Sequence, residues 1–255
     1  MSRVFITGST QGLGLAAAEA LLDEGHEVLF HARSRERAAA VTALARRSLG
    51  VVVGDLRSEA ETRAVAEQVN RIGRMDSVIH NAAVYDTPER GSTPEGHAVT
   101  FAVNTLAPYL LTALIERPRR LIYLSSGMHR GGDTSLDDLD WRERRWSAMR
   151  AYSDSKLHVT ALALAIARRW PEVLSNAVDP GWVPTRMGGA GAPDDLEQGH
   201  LTQTWLAASN EPGAKVSGGY WYHRQRQAPA AAAADPAFQE RLVAQLTETT
   251  GVALS

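Results

Sequence analysis

The residues of this chain best placed to do chemistry together are Tyr152 and Lys156, in the run Tyr152-Ser153-Asp154-Ser155-Lys156. On a helix, a spacing of four puts both side chains on one face, where they can address one ligand. A free phenol has a pKa of about 10, so a proton donor that works near neutrality needs a shift of roughly 3 units. One ammonium about 4.5 Å away supplies roughly that much at an effective dielectric near 20. The spacing predicts a phenol activated by Lys156.

Two further polar residues are candidates for the same site. Ser126 follows the strand-like run Leu121 to Leu124, and Asn104 lies inside a stretch of helical period. Each also has a structural interpretation, because a hydroxyl at a strand end favours a turn and a buried amide can satisfy local backbone groups. From these two positions alone, both interpretations stay open.

A glycine-rich run follows the first apolar segment and opens an Ala-rich helix. Glycines at such a place allow a tight turn and a close approach of backbone N–H groups to a pyrophosphate, and the helix N-terminus adds partial positive charge. This pattern predicts a dinucleotide site. Its candidate residues are Gly8, Ser9, Thr10, Gln11, Gly12, Leu13 and Gly14.

The end of the second predicted strand indicates which nucleotide is bound. In a dinucleotide fold an acid at this place bonds the ribose 2′-hydroxyl and repels a 2′-phosphate. Here the chain has Arg33 and Ser34 and no acid. A guanidinium there can bind a 2′-phosphate and the hydroxyl can assist, which predicts NADP(H) over NAD(H). The alternative is a chance arginine in an arginine-rich chain.

A second nucleotide contact is predicted after the third strand. Asp55, with Leu56 beside it, follows Gly54 at the end of that strand. The Asp55 carboxylate could bond the adenine amino group, or it could cap the helix that follows. The sequence does not separate these two roles.

Strand-like and helical segments alternate regularly, as a parallel sheet built from βαβ units requires. Strands are predicted at Val4 to Thr7, Val28 to His31, Val51 to Val53, Ser77 to His80, Leu121 to Leu124, Leu174 to Val178 and Gly219 to Tyr222. Helices are predicted at Gly12 to Glu24, Arg35 to Arg47, Glu59 to Arg71, Gly96 to Ile115, Ala151 to Arg169, Gln198 to Ala208 and Pro236 to Thr249. The expected fold is one α/β domain over residues 1–255, a doubly wound parallel sheet of about seven strands flanked by helices.

The composition excludes several functional classes. A formal net charge of -2 offers no broad cationic field for nucleic acid or an anionic membrane. Without cysteine, neither a disulfide framework nor a thiolate metal site can form. The N-terminus shows no signal-peptide core and no window is apolar enough to span a membrane, so a cytoplasmic protein is expected. The acids Asp137, Asp138 and Asp140 could suggest a metal, but a solvated face is favoured and no metal site is predicted.

Together these motifs resemble the short-chain dehydrogenase/reductase family. The matching elements, in the family's order, are the glycine-rich turn, His80-Asn81-Ala82-Ala83, Asn104, Ser126, Tyr152 with Lys156, and Pro180-Gly181-Trp182-Val183. The long insertion at 127–150 and the run Ser155-Lys156-Leu157 are most similar to the retinol-dehydrogenase-like and carbonyl-reductase-like branch. His80 and Ala83 depart from the family's usual asparagine and glycine, which puts the detail of the ribose contact in doubt.

The resemblance implies a Rossmann fold, a nicotinamide cofactor and defined residue roles. Ser126 would bond the substrate oxygen, and Tyr152 would donate a proton to it during reduction or remove one during oxidation. Lys156 would also bond the nicotinamide ribose, and Asn104 would hold a water that links Lys156 to solvent. Further implied cofactor contacts are Asn81, Ala82, Ala83, Pro180, Gly181, Val183 and Thr185. A homodimer or homotetramer is implied, although the charged insertion could leave the chain monomeric.

The substrate is expected to be a small apolar alcohol or carbonyl compound held by the insertion and by residues 184–200. Those regions carry the large apolar residues Met128, Trp141, Trp146, Met149, Trp182 and Met187, which could instead pack the insertion onto the domain. His129 and His158 are interpreted as surface or helix residues. The main alternative function is a catalytically silent NADP(H)-binding redox sensor or regulator. A sugar-nucleotide epimerase or dehydratase would need a larger C-terminal domain.

Overall fold

The computed structural model describes residues 1–85 and 88–254, which form one α/β domain around an eight-stranded sheet. The strand order is β3-β2-β1-β4-β5-β6-β7-β8; all neighbouring strands are parallel except β7 and β8. The strands are β1 Arg3–Ile6, β2 Glu27–Ala32, β3 Gly50–Val53, β4 Ser77–His80, β5 Arg120–Leu124, β6 Leu174–Asp179, β7 Gly219–Tyr222 and β8 Gln225–Gln227. The order reverses at β1, so the carboxyl ends of β1 and β4 border a crevice where such sheets bind ligands.

Helices cover both faces of the sheet. They are α1 Gly12–Asp23, α2 Arg35–Ala39, α3 Thr42–Ala45, α4 Glu59–Ile72, α5 Val99–Phe101, α6 Ala107–Leu114, α7 Ala148–Arg169, α8 Gln198–Ala208, α9 Ala231–Ala234 and α10 Pro236–Thr250. A π-helical turn, Ala102–Leu106, joins α5 to α6, and short 3-10 helices lie at Gly127–Gly131 and Pro212–Ala214. Within the described ranges, every helix is too short or too polar to pass through a lipid bilayer.

The two faces of the sheet bury separate apolar cores. One core joins α4, α6, α7 and α10 to the sheet through residues such as Phe5, Tyr123 and Phe238. The other joins α1 and α8 to the opposite face through residues such as Ile6 and Leu206. Because both faces are covered, the central strands are mostly apolar, as the sequence predicted.

The seven predicted strands are confirmed, and three details differ. The eighth strand, Gln225–Gln227, is fully exposed and polar, and the turn before it uses His223 and Arg224 at positive φ in place of the usual glycine signal. The predicted helix Arg35 to Arg47 is broken at Val41, whose backbone leaves the helical region and whose side chain is buried. Ala231–Ala234, outside the predicted helices, forms a helical turn because alanines allow close packing on the core.

Candidate active site

The glycine-rich run forms the turn between β1 and α1. Gly8 and Gly12 have φ values of +65° and +56°, a region that favours glycine. A Cβ at Gly8 would lie 3.1 Å from Ala82, and a Cβ at Gly14 would overlap the Asn81 amide. The Asn81 amide in turn donates to the Thr7 carbonyl at 2.9 Å. The turn is therefore fixed against the segment that follows β4, with no room for side chains in between.

A buried histidine on β2, His31, orients this turn. The Gly8 N–H donates to His31 Nδ1 at 2.9 Å, so Nε2 carries the ring proton and donates to the Gly54 carbonyl at 2.9 Å. Burial lowers the pKa of His31 to about 4, which keeps the ring neutral. Ser9, also fully buried, accepts from the His31 N–H at 2.9 Å. Ser9 thus joins the turn to β2 and is not among the residues that line the crevice.

Three arginines gather at the end of this crevice that an adenosine would occupy. Arg33, predicted from the sequence, lines the crevice together with Arg37 on α2 and Arg57 after β3. The Arg37 guanidinium donates to the Gln11 side chain at 3.1 Å. No acid stands at the end of β2, so positive charge dominates there.

Asp55 lines the same end of the crevice and is paired with Arg57 at 2.5 Å. Although burial opposes it, the hydrogen bonds from Arg57 hold the pKa of Asp55 below its usual value. The cap of α4 is Ser58, whose hydroxyl accepts from the Glu61 N–H. The structure thus excludes Asp55 as the helix cap and leaves its carboxylate facing the crevice.

Most of the sequence-predicted cofactor residues line this crevice, and the others lie around it. Those that line it are Gly8, Thr10, Gln11, Gly12, Leu13, Arg33, Asp55, Leu56, Asn81, Ala82, Ala83, Tyr152, Lys156, Pro180 and Thr185. Those outside the lining are Ser9, Gly14, Ser34, Asn104, Gly181 and Val183, and Ser126, predicted as a catalytic residue only, is also outside it. Ser34, expected to assist a phosphate contact, caps α2 by accepting from the Arg37 N–H.

The two departures from the family pattern, His80 at the end of β4 and Ala83 just after it, lie in different surroundings. His80 points into the core, where its ring stacks on Tyr123 with centroids 4.6 Å apart and Nε2 lies 3.2 Å from the Thr112 hydroxyl. It therefore faces away from the crevice, so the ribose contact in doubt cannot depend on its side chain. Ala83 does line the crevice, beside Ala82.

Asn104 lies in the π-helical turn, a distortion that often marks a functional position in a helix. Its side chain bridges two other segments: Oδ1 accepts from the Val84 N–H at 2.8 Å, and Nδ2 donates to the Val84 carbonyl and to the Ser155 hydroxyl. Ser155 is the neighbour of Lys156 on α7. Asn104 thus holds the segment after β4 against α7, and its amide has these protein partners for both of its polar atoms.

Tyr152, Lys156 and Ser126 converge at the carboxyl end of β5. Tyr152 and Lys156 lie on one face of α7, with the Lys156 ammonium 5.3 Å from the centre of the Tyr152 ring. Lys156 Nζ donates to the Leu124 carbonyl at 2.7 Å, and the Ser126 hydroxyl accepts from the Met128 N–H at 3.2 Å and lies close enough to the Tyr152 phenol to affect its pKa. The neighbouring Ser125 hydroxyl is bonded to Thr160 at 2.6 Å. Of the two serines, Ser126 is the one that meets the phenol.

The protonation balance of this pair differs from the sequence-based expectation. Burial and the nearby Asp179 carboxylate raise the pKa of Tyr152 above its usual value, with Ser126 acting the other way. Burial lowers the pKa of Lys156 to about 8, and Asp179 opposes that change. Spacing alone shows the ammonium, whereas the burial of the phenol and an acid on another strand appear only in the fold. Burial and Asp179 therefore favour the protonated phenol.

The loop after β6 closes over the crevice. The Thr185 side chain lies opposite Gly12, 3.8 Å from where a Cβ on that glycine would be. Gly181 has a φ of +83°, and its N–H donates to Asp179 at 3.0 Å. Val183 is buried beneath the loop against Gly199 at the start of α8. The loop therefore contributes Pro180 and Thr185 directly and is supported by Gly181 and Val183.

The insertion at 127–150 packs on α7. Arg144 lies within 3.2 Å of Asp154 and 3.3 Å of Asp133, and it stacks over Trp141 at 3.9 Å. Trp141 and Trp146 form an edge-to-face pair, which supports the packing interpretation for these two tryptophans. Asp138 and Asp140 pair with arginines. Among residues 1–85 and 88–254, no group of three or more potential ligands is placed to hold a metal ion.

Apolar side chains are exposed in the insertion and in the loop after β6. Trp182, Met149 and Met187 are 60%, 58% and 43% exposed, and the ring of Tyr85 lies edge-on to that of Tyr152 at 4.7 Å. Met187 lines the crevice together with Tyr152. The structure thus places Tyr85 beside Tyr152 and Met187 in the same crevice, and Tyr85 is a residue that the sequence did not single out.

Comparisons with known proteins agree with this geometry. A family model described as enoyl-(acyl carrier protein) reductase matches residues 8–213. Short-chain dehydrogenase chry4 of Gibberella zeae is 41% identical over 258 residues, covering 100% of this chain and 99% of that protein. The chain belongs to the short-chain dehydrogenase/reductase family. It is therefore an NAD(P)-dependent oxidoreductase by family, as the motifs predicted.

Other members of the family extend the comparison. Human retinol dehydrogenase 13 is 29% identical over 98% of this chain and 84% of its own length, in line with the predicted branch. A crystal structure of a protein from Mycobacterium paratuberculosis has a TM-score of 0.84 and 26% identity, covering 100% of this chain and 95% of that one. Further solved structures with this fold hold NADP or NADPH. At 19–21% identity these structures show the shared fold.

Several residues of this short-chain dehydrogenase/reductase were missed from sequence. Arg37 and Arg57 lie outside the motifs, and only the fold brings them to Arg33. His31 was visible at the end of a predicted strand, but nothing in the sequence indicated its bond to Gly8. His129 and His158, interpreted as surface or helix residues, do lie in helices, the 3-10 helix Gly127–Gly131 and α7, but both are buried, and the bond from His129 to the Ser126 carbonyl could not be foreseen. Asp179 precedes the Pro180-Gly181 motif, yet its charge was not considered.

Proposed function

We propose that this protein is an NADP(H)-dependent oxidoreductase that interconverts an apolar carbonyl compound and its alcohol by using Ser126, Tyr152 and Lys156. The observation that carries the proposal is the meeting of these three side chains at the end of a crevice lined by the glycine-rich turn. The crevice and the reactive phenol belong to one site, as transfer between a nucleotide and a substrate requires.

The residues present fit a dinucleotide phosphorylated on its adenosine ribose. Gly12 leaves the backbone of the turn open towards the crevice, where a Cβ would meet only Thr185 at 3.8 Å, as a pyrophosphate contact needs. Arg33 and Arg37 supply guanidinium groups for a 2′-phosphate, and no acid at the end of β2 repels it. The NADP complexes among the related folds support the same preference.

The proposed chemistry assigns one task to each residue. A bound nicotinamide supplies or accepts the hydride. In reduction, Ser126 donates a hydrogen bond to the carbonyl oxygen and Tyr152 delivers its proton there, because a developing alkoxide is far more basic than a phenolate. Lys156 holds positive charge beside the phenol and can bond the nicotinamide ribose. Asn104 positions this end of α7 through Ser155.

We propose that the substrate contacts the exposed side chains of Tyr85, Met149, Trp182 and Met187. The insertion and residues 184–200 would supply further contacts. Apolar and aromatic side chains exposed around a polar reactive group favour a largely apolar ligand with one oxygen to be bonded. Trp141 and Trp146 pack against each other, whereas Trp182 is exposed. Trp182 is therefore the tryptophan that we propose for substrate contact.

The test combines binding with turnover. Purified protein is titrated with NADPH and with NADH by quenching of tryptophan fluorescence, and then assayed with NADPH on a panel of aliphatic and aromatic ketones and aldehydes. We expect tighter binding of NADPH and reduction of apolar members of the panel. Binding without turnover of any compound would favour the silent sensor, and binding of neither nucleotide would overturn the proposal.

We further propose that the protein is a monomer. Helix α7 is buried along almost its whole length by its own chain: Leu157 packs under Gly132 of the insertion, and Arg168 bonds Gln239 and Glu240 of α10. A partner could not reach this helix without displacing those segments. Light scattering on the eluted protein should give a mass near the 27.6 kDa of one chain. A mass of twice or four times that value would contradict the proposal.

A further inference from the structure

Asp179, the last residue of β6, is held in a fixed orientation beside the proposed reactive pair. The Gly181 N–H donates to its Oδ1 at 3.0 Å, and the Tyr220 hydroxyl donates to its Oδ2 at 3.0 Å. Oδ2 also lies against Gly127, the neighbour of Ser126, because a Cβ there would be 3.3 Å away. Donated hydrogen bonds stabilise the charged form of a carboxylate. No cation of residues 1–85 or 88–254 pairs with Asp179 within 4.0 Å.

Lys156, on α7, is only 3% exposed, and its ammonium lies at the end of the neighbouring strand β5. It donates to the Leu124 carbonyl, and Leu124 pairs in the sheet with Val178, the residue before Asp179. An ammonium has three N–H donors and is costly to bury without a nearby negative charge. Asp179 is the carboxylate that acts on Lys156. It acts on the Tyr152 phenol as well.

Other titratable groups around the pair do not replace Asp179. Tyr85 is an uncharged phenol beside Tyr152. Burial lowers the pKa of His129, whose Nδ1 donates to the Ser126 carbonyl and whose Nε2 accepts from the Ala230 N–H, so this ring is neutral. The charged groups farther out are Arg130, which lies 5.8 Å over the Tyr220 ring, and Asp194, which accepts from the Trp182 N–H beside Tyr222.

We propose that Asp179 is a positioning residue whose fixed negative charge keeps the proton on both Tyr152 and Lys156, and so adapts this site to carbonyl reduction. Reduction consumes the protonated phenol, whereas alcohol oxidation has to begin from the phenolate, which a neighbouring carboxylate disfavours. The inference rests on the proposed function, since it specifies the direction that the same site favours.

The first test follows the lysines without any substrate. The chain has two lysines, Lys156 and the exposed Lys215, so protein labelled with ¹³C at the lysine side chains gives two signals that can be titrated by NMR. In the wild type the buried signal should titrate near the pKa of about 8 given by its burial. In Asp179→Asn we expect this pKa to fall by about half a unit or more, as for a carboxylate several ångströms away. Lys215 should not change.

Two further variants keep this test decisive. Asp194→Asn makes the same substitution at a carboxylate that also accepts a backbone N–H in this region, and it should leave the Lys156 titration in place. Tyr220→Phe removes the hydroxyl that fixes Asp179 Oδ2, and it should shift Lys156 in the direction of Asp179→Asn but by less. An unchanged Lys156 pKa in folded Asp179→Asn, or equal shifts in the Asp179 and Asp194 variants, would overturn the inference.

The second test uses the reaction. On a compound found in the carbonyl panel, Asp179→Asn should shift the pH at which reduction fails, and the pH at which oxidation of the product alcohol begins, to lower values, because the phenol loses its proton more easily. A purely structural role would lower rates without moving these profiles. If no compound is turned over, the proposed function fails on that panel while the lysine titration still decides whether Asp179 acts on the pair.

Discussion

Replacing Tyr152 with phenylalanine is expected to lower kcat for carbonyl reduction about 1000-fold, within the range that a positioned proton donor contributes. The substitution removes one hydroxyl and leaves the ring that packs edge-on against Tyr85. It therefore removes the proposed proton donor and leaves Ser126 and Lys156 in place. The measurement is steady-state turnover of Tyr152→Phe with saturating NADPH, on whichever compound of the panel the wild type reduces best.

NADPH binding is the control for this loss. The nucleotide contacts we propose at Arg33 and the glycine-rich turn lie away from the phenol, so the Kd of Tyr152→Phe for NADPH should stay within about threefold of the wild type, roughly 0.7 kcal/mol or less. Loss of binding together with activity would mean that Tyr152 supports the fold or the nucleotide and not the chemistry. Retention of most of the activity would remove Tyr152 from the proposed mechanism.

Much of the fold could be predicted from local patterns. The strands of the parallel sheet are covered on both faces, so each appears as a short apolar run, and the sequence placed all seven within one or two residues. The features of the fold that could not be predicted depend on tertiary contacts. Val41 breaks a helical run because its side chain is drawn into the core, and the exposed strand Gln225–Gln227 has no apolar face to show in its sequence.

The site divides in the same way. Residues in sequence motifs, such as the glycines of the turn and the pair Tyr152 and Lys156, were predictable because the chemistry fixes their spacing. The charges that surround them were not, since Arg57 and Asp179 come from separate strand ends that only the folded sheet brings to the crevice. The effects on the pKa of Tyr152 illustrate this, because the spacing shows the Lys156 ammonium but neither the burial of the phenol nor the Asp179 carboxylate.

Replacing both Arg33 and Arg37 with alanine is expected to weaken NADPH binding about 100-fold and to leave NADH binding nearly unchanged. Each guanidinium can make charge-assisted hydrogen bonds to a 2′-phosphate, which are worth about 1.5 to 3 kcal/mol when well formed and less at an exposed position such as Arg33. Arg33→Ala alone should weaken NADPH binding about tenfold, roughly 1.4 kcal/mol. Fluorescence titration of each variant with both nucleotides gives these values.

Arg35→Ala is the matched control, because Arg35 lies between the two arginines in sequence but does not line the crevice. If the preference for NADPH over NADH comes from electrostatic contact of Arg33 and Arg37 with the 2′-phosphate, Arg35→Ala should bind NADPH almost as the wild type does. The advantage of NADPH over NADH should also shrink as salt is raised, since exposed charges are screened over about 10 Å at 0.1 M. Equal losses for NADH and NADPH in the double variant would show that Arg33 and Arg37 hold a part common to both nucleotides. The basis of the NADP(H) preference would then have to lie elsewhere in the crevice, with Arg57 and its partner Asp55 the next pair to change.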